Sequence, residues 1–156
     1  MTLKLLEGAV DALDAYLEAN MAAKVAAVNA RYGDTLLEDV KIWYKGSLPT
    51  ATPEAPSIAI HGSGWTPKAQ MMAKAGLHVS SGISLIVFVG DDDVERRFRK
   101  LCRYVLCLVE LVNAGEAAMA YNVKLNGPAA LSDSMATTPF LQSMIFPVLL
   151  EQMENY

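Results

Sequence analysis

From Thr2 to about Arg31 the apolar positions follow a helical period. Leu3, Leu6, Val10, Leu13 and Leu17 share one stripe, which continues through Met21, Val25, Val28 and Tyr32. The four-residue step at Met21 breaks a strict heptad and predicts a helix lying on a sheet rather than a coiled coil. Gly33 is placed to stop it. A partner-binding amphipathic helix is the alternative, but a stripe this wide and regular favours core packing.

Two strands are predicted next. Ser57 to His61 is short, with Ile58 and Ile60 on one face. Leu77 to Val89 is longer, with Val79, Ile83, Leu85, Val87 and Val89 on one face. Its other face starts polar at His78, Ser80 and Ser84 and turns apolar at Ile86 and Phe88. That end needs cover on both sides, one from the helices and one expected from a neighbouring subunit. The acidic turn Gly90-Asp91-Asp92-Asp93 leads into a second helix with apolar Val94, Phe98, Leu101, Val105, Leu108, Val109 and Val112. Asp92 is the expected N-cap, with Glu95 completing a capping box. Ala118 to Leu125 alternates weakly (Met119, Tyr121, Val123, Leu125), Asn126-Gly127 marks a turn, and Pro128 to Pro139 reads as a loop. Phe140 to Met153 is the final strand, apolar on both faces from Met144 to Leu150. Pro147 has no N–H to donate, so this strand is expected at an edge or with a bulge.

Two stretches are less regular. Asp34 to Pro56 reads as a connector with an apolar patch at Ile42-Trp43-Tyr44; its proline-rich part, 44–56, carries Pro49, Pro53 and Pro56. Residues 62–76 read as an extended loop in which Thr66-Pro67 starts a short helix that Gly76 ends. This loop presents Trp65, Met71 and Met72 to a partner, or else acts as a flap over the chain's own core. The order α-β-β-α-β-β predicts one α+β domain over 1–156, with two long helices on one face of a mainly antiparallel, roughly four-stranded sheet.

Composition sharpens this picture. A chain of 156 residues that is 53% hydrophobic and 19% charged is neither disordered nor too small for a core, and its apolar surplus points to surface hidden in subunit contacts. The net charge of -4 excludes a nucleic-acid binder by bulk electrostatics. Cys102 and Cys107 fall on different sides of one helix, so they do not bridge each other and fit a reducing setting. No apolar run approaches the ~18 residues that would span a bilayer. Lys4, Glu7, Asp11 and Asp14 interrupt any signal-peptide core, and a soluble cytoplasmic domain without membrane contact is expected.

No G-x-G-x-x-G, Walker A, H-E-x-x-H or C-x-x-C pattern occurs. His61 and His78 flank the 62–76 loop, but a metal would need further ligands. Asp91, Asp92 and Asp93 are accounted for by helix capping and the helix dipole. No catalytic residue, cofactor or metal is expected, and no enzyme. The basic run Arg96, Arg97, Arg99, Lys100 and Arg103 is either a solvated helix face or a surface for salt bridges to the acids Glu7, Asp11, Asp14, Glu18, Glu38 and Asp39 of another copy; DNA contact ranks third. Those basic residues, with Ile86, Phe88, Met144, Phe146 and Val148, form the expected subunit interface.

The layout resembles a known group. The opening LLEGAVDALDAYLEANMAAKVAAVNARYGD, the Trp-Tyr and proline-rich connector, the PSIAI strand, the strand ending VGDDD and the helix VERRFRKLCRYVLCLVELV together resemble neck and tail-completion proteins of tailed bacteriophages. Tail terminators and head–tail connectors are the most similar. The resemblance covers about three quarters of the chain and rests on layout rather than on an invariant motif. It implies a small α+β protomer in a ring, usually a hexamer, that caps the tail tube and joins it to neighbouring neck proteins, assembled in the host cytoplasm. DNA would pass through the lumen without being read. The competing class is a small-molecule or peptide-binding module with Trp65, Met71 and Met72 as its lid.

Overall fold

The computed structural model describes residues 6–46, 53–69, 76–119, 121–132 and 141–155. The apolar stripe of the first segment becomes helix α1 (Leu6–Tyr32), which buries Ala9, Val10, Leu13, Leu17, Met21, Val25 and Val28. Gly33 ends it at φ 67°, a conformation that costs glycine little. Tyr32 leaves the stripe and is about half exposed, lying under the guanidinium of Arg103 at 4.2 Å.

The sheet is larger than expected and mixed. Strands β1 (Ile42–Gly46), β2 (Ser57–Ala69), β3 (Gly76–Gly90), β4 (Asn122–Leu125), β5 (Ala130–Leu131) and β6 (Leu141–Asn155) form it, in the order β1-β2-β3-β6-β4, with β5 also on β6. β1 runs parallel to β2, Ile42 opposite Ser57 and Gly46 opposite His61; the remaining pairs are antiparallel. Ile42-Trp43-Tyr44 is therefore a strand, not part of a connector. An apolar run without alternation gives no strand signal by itself, and its partner lies beyond three prolines.

Residues 62–69 correct a second expectation. Thr66 and Pro67 do not start a helix; β2 runs on to Ala69, opposite β3 as far as Leu77, with a register shift between Gly62 and Gly64. Pro67 is tolerated because the β1 pairing ends opposite His61, and among the described residues no strand lies outside β2 from there on. At Gly62 an added Cβ would come within 2.8 Å of Leu6 Cδ2; the missing side chain lets α1 start directly over the strand. Met71 and Met72 fall outside the described residues.

β6 is not an edge strand, and its register against β3 is unbroken from Leu141 to Asn155. The missing donor of Pro147 is accommodated elsewhere. On the far side of β6, β5 pairs with Met144 and Ile145 and β4 with Val148 to Glu151. Pro147 sits in the gap between them, its carbonyl taken by the Asn126 N–H at 3.1 Å.

Helix α2 (Val94–Ala114) and the single turn α3 (Glu116–Met119) complete the layer over the sheet. The main core lies between helices and sheet and takes in Ile58, Ile60, Ile83, Leu85, Val87, Val89, Met144, Phe146, Val148 and Leu150 from the strands. Met144, Phe146 and Val148, expected at a subunit interface, are thus core residues of their own chain. On the opposite face Ala59, Ile86, Phe88 and Leu141 form a second cluster with Tyr44 and Ala55 against it. Ile86 and Phe88 are each only 7% exposed, so the chain itself supplies the cover that had been assigned to a neighbour.

Candidate interaction surface

The turn from β3 into α2 is organised by Asp91. Its carboxylate accepts from Arg96 Nε at 2.6 Å and Nη2 at 2.8 Å, and from the Asp93 N–H at 2.9 Å. Lys100 Nζ stands 3.0 Å away. These donors stabilise the charged form, the Arg96 hydrogen bonds most strongly, and hold the Asp91 carboxyl well below the usual carboxylate range. The N-cap is Asp93 rather than Asp92, its side chain accepting from the Arg96 N–H at 2.9 Å. Glu95 does not close a capping box. It pairs along the helix with Arg99 at 2.5 Å.

The basic run is therefore not a free cationic face. Arg97 is 4% exposed and turns inward, donating to the Asp91 carbonyl at 3.1 Å and to Gln142 Oε1 at 3.2 Å. Gln142 donates in turn to the Ser132 carbonyl at 2.7 Å, which ties α2 to β6 and the end of β5. Arg103 pairs with Asp34 at 2.5 Å, pulling the Asp34 carboxyl down in pKa. A cleft of about 350 Å³ is lined by Arg96, Arg99 and Arg103 together with Asp34, Asp93 and Glu95, and each guanidinium in it already holds a carboxylate. The arrangement offers no surplus positive charge to an anion.

The acids of α1 are less fully matched. Lys45 reaches Asp11 at 3.1 Å and Asp14 at 4.0 Å, and Asp14 Oδ1 is buried without a hydrogen bond. Burial pushes the Asp14 carboxyl up in pKa, Lys45 opposing and Asp11 adding to the rise. Cys107 is buried and its thiol is pushed up to about 11, by burial first and by Glu110 second, which disfavours the thiolate. Cys102 is exposed. Among the described residues no three His, Cys, Asp or Glu side chains converge to hold a metal ion, and no helix is long and apolar enough to cross a membrane.

The exposed apolar side chains show a pattern that periodicity had concealed. Val94 is 66% and Phe98 48% exposed, although both were placed in the core stripe of α2. They flank Arg97, at the end of the helix that reaches Gln142 and Ser132. Leu131 and Leu125, 46% and 48% exposed, stand on β5 and β4 opposite the core residues Met144 and Val148, hence on the helix side of the sheet. Four large apolar side chains, two in the first turns of α2 and two on the helix side of β4 and β5, are thus left facing water. Trp65 lies in β2, opposite Ser81. No protein-family model matches the chain, and no curated protein does.

Proposed function

We propose that the chain is a structural subunit of a ring, of hexameric type, at the head–tail junction of a tailed bacteriophage, capping the tail tube and joining it to the neck. The exposure of Val94, Phe98, Leu125 and Leu131 carries this reading, because water-facing apolar side chains of this size favour a protein partner. The likeness of the sequence layout to neck proteins supplies the identity of the assembly. The pairing of Arg96, Arg99 and Arg103 with carboxylates supports a lumen that lets DNA pass without reading it, since no set of free guanidinium groups is left to grip phosphates.

Light scattering and negative-stain microscopy of the purified chain test the proposal together. Closed rings at micromolar concentration are the expected result; a clean monomer at that concentration refutes it. A rise in melting temperature with one member of a metabolite or peptide panel, in a protein that stays monomeric, would favour the binding-module alternative.

A further inference from the structure

The two strands that end the sheet, β1 and β4, are matched in a way that a single rotation between copies would satisfy. β1 has five residues and β4 four. Among the described residues no strand lies outside either of them, so each presents one row of backbone donors and acceptors without a ladder partner. Their directions follow from the pairing around the sheet. β1 is parallel to β2, and three antiparallel steps lead from β2 through β3 and β6 to β4. β1 and β4 therefore run in opposite senses, and copies that carry the sheet onward meet there as an antiparallel pair, the more stable ladder.

The side chains agree with this. Trp43 stands opposite Ile58 on the helix side and is partly buried against the main core, while Val123 and Leu125 of β4 stand on that same side. Across a seam Trp43 would meet Leu125, which is otherwise 48% exposed. On the other side Tyr44 would meet Lys124. Neither strand contains a proline, and the lysine of each is already neutralised within its own chain, Lys45 by Asp11 at 3.1 Å and Lys124 by Glu151 at 2.7 Å. The outer strand of the β2–β3 hairpin looks different: a register shift at Gly62–Gly64 and Pro67 interrupt it, both of them devices that discourage edge pairing.

We propose that β1 of one copy adds to β4 of the next, antiparallel, so that the sheet runs unbroken from subunit to subunit. The inference rests on the ring reading above and names the seam of that ring. Such a contact is heterologous, with unlike edges meeting, which is what a closed ring of more than two copies requires.

Hydrogen exchange on the unmodified chain reads the seam directly. The amides of Ile42–Gly46 and Asn122–Leu125 should exchange at least about tenfold more slowly in rings than in dilute, dissociated protein. In a Cys102→Ser background, Tyr44→Cys combined with Asn122→Cys or with Lys124→Cys should give a ladder of disulfide-linked multimers on oxidation, and each single cysteine no more than dimers. Rings without the slowed exchange at both strands, or without a ladder from either pair, overturn the seam and leave the ring reading standing. A chain that stays monomeric overturns both.

Discussion

At the scale of single residues, Asp91 shows how a helix start can be mistaken for simple capping chemistry. Three neighbouring aspartates satisfy any capping rule, yet Asp91, just before the cap, collects Arg96, Lys100 and the Asp93 amide. Asp91→Asn should cost about 1.5–3 kcal/mol, the range for hydrogen bonds to a charged group. Arg99→Ala, which removes an exposed pair with Glu95, should fall within about 0.5 kcal/mol of the parent. Urea denaturation separates the two. The pH dependence follows from the sign of the shift. The folded Asp91 carboxyl titrates below its unfolded value, so its contribution is complete above about pH 4 and is lost as acid protonates the unfolded chain first. Asp14 has the opposite sign. Its raised folded value makes its charge a cost at neutral pH, so Asp14→Asn should raise the melting temperature at pH 7, and the gain should fade as pH falls through the raised folded value and be gone below about pH 4. Thermal melts across pH for the two variants check both signs.

At the scale of elements, packing sets the limits that propensity leaves open. α2 ends at Gly115, whose φ of -91° is open to any residue. Glycine is needed there for room: a Cβ would lie 2.5 Å from Tyr16 Cε1, and that ring is held by its hydroxyl, which donates to the Leu111 carbonyl at 2.7 Å. Gly115→Ala should therefore cost about 1–3 kcal/mol, as overpacking does. Gly62→Ala should cost less, because the atom it meets is the tip of a leucine. Equilibrium unfolding of the two variants gives the comparison. The strands make a similar point, since among the described residues both strand prolines sit where no strand pairs on the outer side, Pro67 beyond the end of β1 and Pro147 between β5 and β4.

At the scale of the whole molecule, two phenylalanines of similar sequence context separate folding from assembly. Phe146 is 3% exposed and lies in the main core, so Phe146→Ala should cost about 3–5 kcal/mol. Phe98 is 48% exposed, and Phe98→Ser should leave the melting temperature nearly unchanged while lowering the fraction assembled. Melting curves paired with light scattering over a dilution series test this. If Phe98→Ser assembled like the parent, the exposed apolar end of α2 would have no part in the ring. Salt should have little influence on assembly, because the arginines once expected to bridge copies are occupied within the chain.

The sequence by itself determined the two long helices, the β3–α2 turn and the apolar face of β3, because each is written in local spacing: a 3.6-residue or two-residue period and a capping aspartate. Only the tertiary structure decided which side chains of those elements meet water. Val94 and Phe98 keep the helical period but lie past the end of the layer that would cover them, and Arg97 breaks the period yet is buried because Gln142 and the Asp91 carbonyl are there to receive it. β1 and the far half of β2 were invisible for the same reason. A strand exists through its partner, and the partners of Ile42–Gly46 and Gly64–Ala69 come from elsewhere in the chain, so no window of sequence around them contains the signal.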